Sequence, residues 1–292
     1  MGIKVLSLFD GISCGMVALE RAGIKVNEYY ASEIDKNAIK VSVKNYPNIK
    51  HIGDVTKVKG ENLPKIDLLI GGSPCQGFSF AGKQLNFSDE RSKLFFEYVR
   101  LLEETKPKYF LLENVKMKKE YQDVISKYLG VEPIEINSAL VSAQNRKRLY
   151  WTNIPNIQQP KDRGILLKDI VDLNEKNREE VTDKIYKYVE SGNYKGRKIE
   201  KTVRQSITTL EQKSKTICTQ SYNTGTNNSI CIKIAGRYFK PTQIEFERLQ
   251  TLPDNYTSAL NIKKAVHAIG NGWTVDIIAH IFKEINNINK EN

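Results

Sequence analysis

The sequence is poor in the residues that build metal centres and disulfide frameworks. Its 292 residues include four cysteines and three histidines, and no two cysteines form a C-x-x-C pair. We therefore expect no structural metal and no disulfide framework, and reduced thiols fit the cytoplasm. No apolar run approaches the roughly 18 residues of a membrane span. The opening run MGIKVLSLFDG breaks at an Asp and a Gly, which indicates a buried strand and not a signal peptide.

Acidic residues are too few to balance the basic ones. The chain has 45 Lys and Arg against 34 Asp and Glu, a net charge of +11 and a sequence pI near 9.3. Such an excess suits a polyanionic partner such as nucleic acid, because neutralising phosphates releases counterions. The alternative is an ordinary lysine-rich solvated surface, since much of the excess is Lys.

Short apolar runs alternate with helical stretches through the first half of the chain. Strands are predicted at Lys4–Phe9, Glu28–Ala31, Asp67–Ile70, Tyr109–Leu112, Ile134–Leu140 and Arg148–Asn153, and helices at Gly15–Ala22, Lys36–Lys44, Arg91–Thr105 and Lys119–Leu129. This alternation predicts an α/β fold with a mostly parallel sheet, which binds ligands at the carboxyl ends of its strands.

The pattern changes after Pro155, where the chain becomes polar and weakly periodic. Helical signals return after Tyr238, with a capping box at Thr242 and Glu245 and an amphipathic helix at Val275–Ile288. We predict a discontinuous large domain of residues 1–154 and 239–292, and a smaller lobe of residues 155–238.

Reactive side chains follow several of the predicted strands. The first strand ends in F-D-G-I-S-C-G, and Glu33 comes 23 residues after Asp10, a spacing typical of ribose-binding acids in nucleotide folds. Asp54 could accept the amino group of an adenine. The alternative for the F-D-G-I-S-C-G segment is a tight strand-to-helix turn. The alternative for Glu33 or Asp35 is a helix cap, and for Asp54 an ordinary turn residue.

The strongest signal is G-G-S-P-C-Q-G-F-S-F-A-G, which places the thiol of Cys75 just past a buried strand. The neighbours of Cys75 are Ser, Gln and Gly, whereas a lone cysteine is usually a small residue of the hydrophobic core. Glu113 ends the next apolar strand, so adjacent parallel strands would bring an acid beside a nucleophile. Arg146 and Arg148 occupy alternate positions at the start of another predicted strand, so their side chains would point to the same face of the sheet. A surface charge run is the alternative for this arginine pair.

Taken in order, these motifs resemble the carbon-5 cytosine methyltransferases of DNA. E-N-V at Glu113, Q-N-R-K-R, R-L-Q-T-L-P-D-N-Y from Arg248 and A-I-G-N-G-W-T-V from Ala268 complete the collinear match. The 155–238 lobe has no confident match. The resemblance implies a Rossmann-like methyltransferase domain with a small target-recognition lobe, and S-adenosyl-L-methionine as cofactor, released as S-adenosyl-L-homocysteine. The cofactor-binding residues that it implies are Phe9, Asp10, Gly11, Ser13, Cys14, Gly15, Glu33, Ile34, Asp54, Val55, Ser73, Asn271 and Trp273.

The same resemblance implies the chemistry. A Cys75 thiolate adds to carbon 6 of a cytosine flipped out of double-stranded DNA, so that carbon 5 becomes nucleophilic. Glu113 would bind the ring edge, Arg148 the carbonyl oxygen, and Arg146 would steady a closed loop. Candidate substrate contacts are Gln76, Ser79, Asn114, Gln144, Arg204 and Gln220. An RNA cytosine methyltransferase, an inactive DNA-binding regulator and a nicotinamide dehydrogenase are the alternatives. We expect a monomer in a prokaryotic or phage-host cytoplasm, with a cognate restriction endonuclease as a separate partner.

Overall fold

The structure, a computed structural model, describes residues 2–73, 90–176, 178–181, 193–194, 197–198, 207–223 and 228–291. These residues divide into two compact units. The first unit comprises residues 1–137, 147–159 and 275–292, and the second comprises residues 138–146 and 160–274. Most of the expected 155–238 lobe lies in the second unit, which also includes residues 138–146 and 239–274. The functional boundary of a recognition lobe therefore stays a prediction.

The first unit is built on a large, mainly parallel sheet. Its strands are β1 (Ile3–Leu8), β2 (Val26–Ser32), β3 (Lys50–His51), β4 (Leu68–Gly71), β5 (Tyr109–Val115), β6 (Ile134–Asn137) and β7 (Lys147–Thr152). Their order across the sheet is β3-β2-β1-β4-β5-β7-β6. The strands β3, β2, β1, β4 and β5 are parallel to one another, whereas β7 is antiparallel to both β5 and β6. The predicted α/β class and mostly parallel sheet are confirmed.

Helices of the first unit pack on this sheet and on one another. They are α1 (Cys14–Arg21), α2 (Lys36–Asn45), α3 (Glu90–Thr105), α4 (Lys119–Leu129) and the last helix of the chain, Val275–Glu291. The hydrophobic core joins Leu6 and Leu69 of the sheet to Phe95 of α3 and Ile125 of α4. Trp151 is fully buried in this core, and its indole N–H donates to the Ser126 hydroxyl at 3.0 Å, so its burial leaves no unpaired donor.

One predicted strand is shorter than expected. The sequence predicts a strand over Ile134–Leu140, but β6 ends at Asn137 and a single 3-10 turn covers Ser138–Leu140. The Ser138 N–H donates to the Arg146 carbonyl at 3.0 Å, and the Val141 N–H bonds back to Ser138, which closes the turn. The apolar pattern of this segment does not reveal where the strand ends, because the carbonyl that accepts the Ser138 N–H belongs to Arg146, further along the chain.

The second unit contains short strands and two described helices. Strands β8 (Asn193–Tyr194) and β9 (Arg197–Lys198) form a hairpin, and β10 (Ile207–Thr209), β11 (Cys231–Ile234) and β12 (Arg237–Phe239) form a small sheet. The helices of the second unit are α5 (Gln243–Leu249) and α6 (Ile262–Asn271). The last helix of the chain, Val275–Glu291 in the first unit, is α7. Thr242 and Glu245 form the predicted capping box of α5. None of the described helices is long and apolar enough to cross a membrane.

Candidate active site

The turn after β1 is held in a left-handed conformation. Phe9, Gly11 and Ser13 have φ angles of 55°, 60° and 60°. A Cβ added at Gly11 would meet no atom within 4 Å, so the space beside this turn is open. Ser13 and Cys14 are buried, at 0% and 3% exposure.

Glu33 ties this turn to the end of β2. Its Oε2 accepts the Gly11 N–H at 2.8 Å, and its Oε1 accepts the N–H groups of Ile34 and Asp35 at 2.7 and 2.8 Å. Asp35, and not Glu33, caps helix α2, because its carboxylate accepts the N–H of Asn37 at 2.7 Å. Ile34 is 72% exposed beside these acids. Glu33 therefore organises two backbone segments at the carboxyl edge of the sheet.

Asp10 lies in this turn and accepts hydrogen bonds from two side-chain hydroxyls. Its two carboxylate oxygens accept the Ser13 hydroxyl at 2.5 Å and the Tyr29 hydroxyl at 2.7 Å. Burial raises the pKa of Asp10, while the hydrogen bonds from Ser13, Ser7 and Tyr29 lower it. Tyr29 was missed by the sequence reasoning, which sought acids at strand ends and not hydroxyls within the neighbouring strand.

Asp54 presents an ionised carboxylate near the same edge. It caps a 3-10 turn, Val55–Lys57, and accepts the N–H and hydroxyl of Thr56 at 3.0 and 2.9 Å. Those two hydrogen bonds hold the pKa of Asp54 below its ordinary value. The Ser32 hydroxyl donates to the Gly53 carbonyl at 2.7 Å, which joins the end of β2 to the segment before Asp54.

A second group of polar side chains lies at the end of β5. The Arg148 Nε of β7 lies 2.9 Å from Glu113 Oε1, and the two side chains are 12% and 11% exposed. This ion pair forms because β5 and β7 are antiparallel neighbours, with Val115 opposite Arg148. The Asn114 amide lies 3.4 Å from both the carbonyl and the hydroxyl of Ser73, just after β4. The structure thus joins Ser73, Asn114, Glu113 and Arg148 at neighbouring strand ends.

Cys75, Gln76, Ser79 and Arg204 lie outside the described residues, so their predicted roles stay predictions. Among the residues that are described, no cluster of His, Cys, Asp or Glu could hold a metal ion.

Five further predicted site residues belong to the second unit, and Gly15 lies in helix α1 of the first. Gln144 and Arg146 are buried at 0% and 3% exposure, whereas Gln220 and Asn271 are exposed and Trp273 is 9% exposed. The Arg146 guanidinium donates to the carbonyls of Ile217 and Gly272, both at 2.8 Å. The catalytic role of Arg146 stays a prediction.

A family model described as C-5 cytosine-specific DNA methylase matches residues 3–287. The chain belongs to this family. It is thus an S-adenosylmethionine-dependent methyltransferase of DNA cytosine carbon 5. Its relatives include the type II methyltransferase M1.ScrFI of Lactococcus lactis subsp. cremoris, which is 31% identical over 97% of this chain and 77% of that protein. The type II methyltransferase M.NlaX of Neisseria lactamica is 29% identical over 97% of this chain and 96% of that protein.

Solved structures agree with this family fold. The Entamoeba histolytica methyltransferase EhMeth superposes with a TM-score of 0.78 over 99% of both chains, at 16% sequence identity. An identity this low supports the C-5 methylase fold alone. The family model and the type II methyltransferase relatives confirm the predicted resemblance, enzyme class and cofactor.

Proposed function

We propose that this methylase modifies a cytosine extruded from double-stranded DNA, with Cys75 as nucleophile and the Glu113–Arg148 ion pair as the group that binds the base. The observation that carries the proposal is this ion pair, which is largely buried at the end of β5. Asn114, the next residue, contacts Ser73, and Ser73 stands two residues before Cys75 in the chain. A duplex hides carbon 5 of cytosine within the stack, so the base must leave it first.

The ion pair suits the electronic needs of the reaction. When a Cys75 thiolate bonds to carbon 6, negative charge develops over the ring and its carbonyl oxygen. The Arg148 guanidinium is a fixed cation that stabilises such charge in a site with little water. The Glu113 carboxyl is suited to the ring nitrogen and the exocyclic amine, where it holds or donates a proton. Pairing each group with the other fixes both orientations before the base arrives.

Several features of the first unit fit S-adenosylmethionine. Gly11 has open space where a side chain would stand, and the exposed Ile34 offers an apolar face for a purine ring. Glu33 is proposed to bind ribose hydroxyls, because a carboxylate has acceptor sites beyond those used by backbone N–H groups. Asp54 would accept an adenine amino group. When bound, the cofactor supplies an activated methyl group and leaves as S-adenosylhomocysteine.

Phe9, Val55 and the backbone of Ser13 to Gly15 complete the proposed cofactor contacts in the first unit. Asn271 and Trp273 are further proposed cofactor contacts. Both rest on their positions in the G-N-G-W segment.

The second unit is proposed to read the sequence around the target. Gln220 is exposed and has the amide that reads base edges in the major groove, and Arg204 is a candidate from the same lobe. The net charge of +11 supports attraction to the DNA backbone. A monomeric enzyme in a bacterial or phage-host cytoplasm, with a cognate endonuclease acting separately, completes the proposal.

The test is trapping on duplex DNA that contains 5-fluorocytosine, where carbon 5 has no proton to lose. Wild-type protein should form a stable covalent adduct, and Cys75→Ser should form none while binding the cofactor nearly as well as wild type. Cys231→Ser is the matched control, because it removes a thiol from β11 in the second unit, and it should trap DNA normally. An adduct of undiminished yield in Cys75→Ser would remove Cys75 from the mechanism.

A further inference from the structure

Arg146 is a buried cation that donates hydrogen bonds to three backbone carbonyls. Its NH1 donates to Ile217 at 2.8 Å, and its NH2 donates to Gly270 at 3.2 Å and to Gly272 at 2.8 Å. The rigid fork of a guanidinium sets the directions of its donors, so one side chain fixes the separation of two chain segments. Arg146 thus joins the segment at Ile217 to the end of helix α6.

Two glutamines reinforce the same junction. The Gln144 Oε1 accepts the Ile217 N–H at 2.7 Å, and its Nε2 donates to the Leu249 carbonyl at 2.9 Å. The Gln250 Nε2 donates to the carbonyls of Ile269 and Gly272 at 3.0 and 3.1 Å. Both backbone polar groups of Ile217 are therefore held by buried side chains. A buried network with its bonds made specifies one arrangement of the segments that it joins.

Gly270 allows the two segments to approach closely. A Cβ at this position would lie 2.4 Å from the Cys218 carbonyl carbon and 2.6 Å from the Thr219 nitrogen. Ordinary contact begins near 3.4 Å, so an added methyl group would need a shift of about 1 Å. The obstructing atoms are backbone, so the segment itself must move.

The clamped segment leads directly into an exposed turn. The Cys218 N–H donates to the Ser221 hydroxyl at 2.9 Å, and the Ser221 N–H returns to the Cys218 carbonyl at 3.1 Å. This turn carries Gln220 and Asn223, both exposed. A hydrogen bond to a base edge tolerates only a few tenths of an ångström, so a shift of about 1 Å at residues 218–219 would misplace these amides.

We propose that Arg146 and Gly270 are positioning residues for sequence recognition, which fix the turn 218–223 that reads the bases around the target cytosine. This proposal rests on the proposed DNA-reading role of the second unit. Neither residue needs to touch DNA. Their substitution should change which flanking bases are preferred, because the geometry of the turn changes while its side chains remain.

The experiment methylates a random-sequence duplex library at saturating cofactor and maps the products by bisulfite sequencing. Gly270→Ala should change the ratio between preferred and disfavoured flanks by roughly five- to tenfold, the scale of one lost base contact. The matched control is Val266→Ala, which shortens a buried side chain on the same helix. It should keep the wild-type preference for flanking bases even if its melting temperature falls as much as that of Gly270→Ala. Arg146→Lys, which keeps the charge and loses the fork, should change the preference in the same direction.

Arg146→Lys also serves if Gly270→Ala does not fold. A folded Gly270→Ala or Arg146→Lys protein with the wild-type flanking preference would overturn the proposal. An equal change in Val266→Ala would overturn it as well, since loss of stability would then explain the effect. Failure of the wild-type enzyme to methylate any duplex in the library would instead count against the proposed function.

Discussion

Glu33→Gln should weaken cofactor binding strongly, although it changes one atom. The Glu33 carboxylate accepts three backbone N–H groups, from Gly11, Ile34 and Asp35, at 2.7 to 2.8 Å. A glutamine amide keeps a single acceptor oxygen. If that oxygen faces Ile34 and Asp35, the Gly11 N–H meets an NH₂ group, and in the opposite orientation two bonds are lost.

The smaller of these losses sets the expected magnitude. A hydrogen bond to a charged group contributes about 1.5–3 kcal/mol. Losing one should therefore weaken S-adenosylmethionine binding by roughly 10- to 150-fold if the freed turn must be reordered on binding. Part of the loss will appear in the thermal stability of the free protein.

Titration calorimetry with S-adenosylmethionine, together with thermal unfolding of the free protein, measures both quantities. Glu28→Gln is the matched control, because it neutralises an acid on β2, the strand that Glu33 follows, and its partners are the surface groups Lys4, Tyr30 and Lys50. It should leave cofactor affinity within about twofold of wild type, well inside the 1.4 kcal/mol of a tenfold change. A Glu33→Gln protein with unchanged affinity and unchanged stability would refute the reasoning and move the ribose contact elsewhere.

Three further outcomes are expected. Glu113→Gln should lower kcat at least about 100-fold with little change in cofactor affinity, since general acid–base groups contribute rate factors of about 10² to 10⁴. Single-turnover methylation measures this rate, and a wild-type rate in the variant would contradict the role of Glu113. Arg148→Lys should lower kcat as well, because an ammonium cannot reproduce the Nε contact with Glu113. Burial raises the pKa of Glu247, whose Oε2 is buried without a hydrogen-bond partner, so its folded form binds the proton more tightly than the unfolded chain. The stability of wild type should therefore fall as the pH rises from the unfolded value towards the folded one. Glu247→Gln should lack this fall in pH-dependent melting, and parallel curves for the two proteins would contradict the assignment.

Local patterns were sufficient where an element is defined by its own residues. Helix α4 occupies the predicted Lys119–Leu129, and the α5 capping box uses the predicted Thr242 and Glu245. The expectation that parallel strands end at one edge of the sheet also placed Glu33 near Asp10. The N–H of Gly11, the residue after Asp10, donates to the Glu33 carboxylate. These features depend on periodicity, capping and sheet direction, all of which are legible in a short window.

Arg146 shows where such reasoning ends. Spacing treats Arg146 and Arg148 alike, yet β7 begins at Lys147, Arg148 pairs with Glu113 and Arg146 donates to the Ile217 carbonyl. The three carbonyls that accept from the Arg146 guanidinium, at Ile217, Gly270 and Gly272, lie 71 to 126 residues away. Only the tertiary structure reveals that this arginine is buried. The same holds for Gln250, whose motif was recognised although its role in the buried network was not.

The most direct test of the central claim is methyl transfer from tritium-labelled S-adenosylmethionine to duplex DNA, single-stranded DNA and transfer RNA in parallel, followed by nucleoside analysis. The enzyme should label duplex DNA, and the label should co-migrate with 5-methyl-deoxycytidine. Label found only in transfer RNA, or on any DNA atom other than carbon 5 of cytosine, would contradict the account.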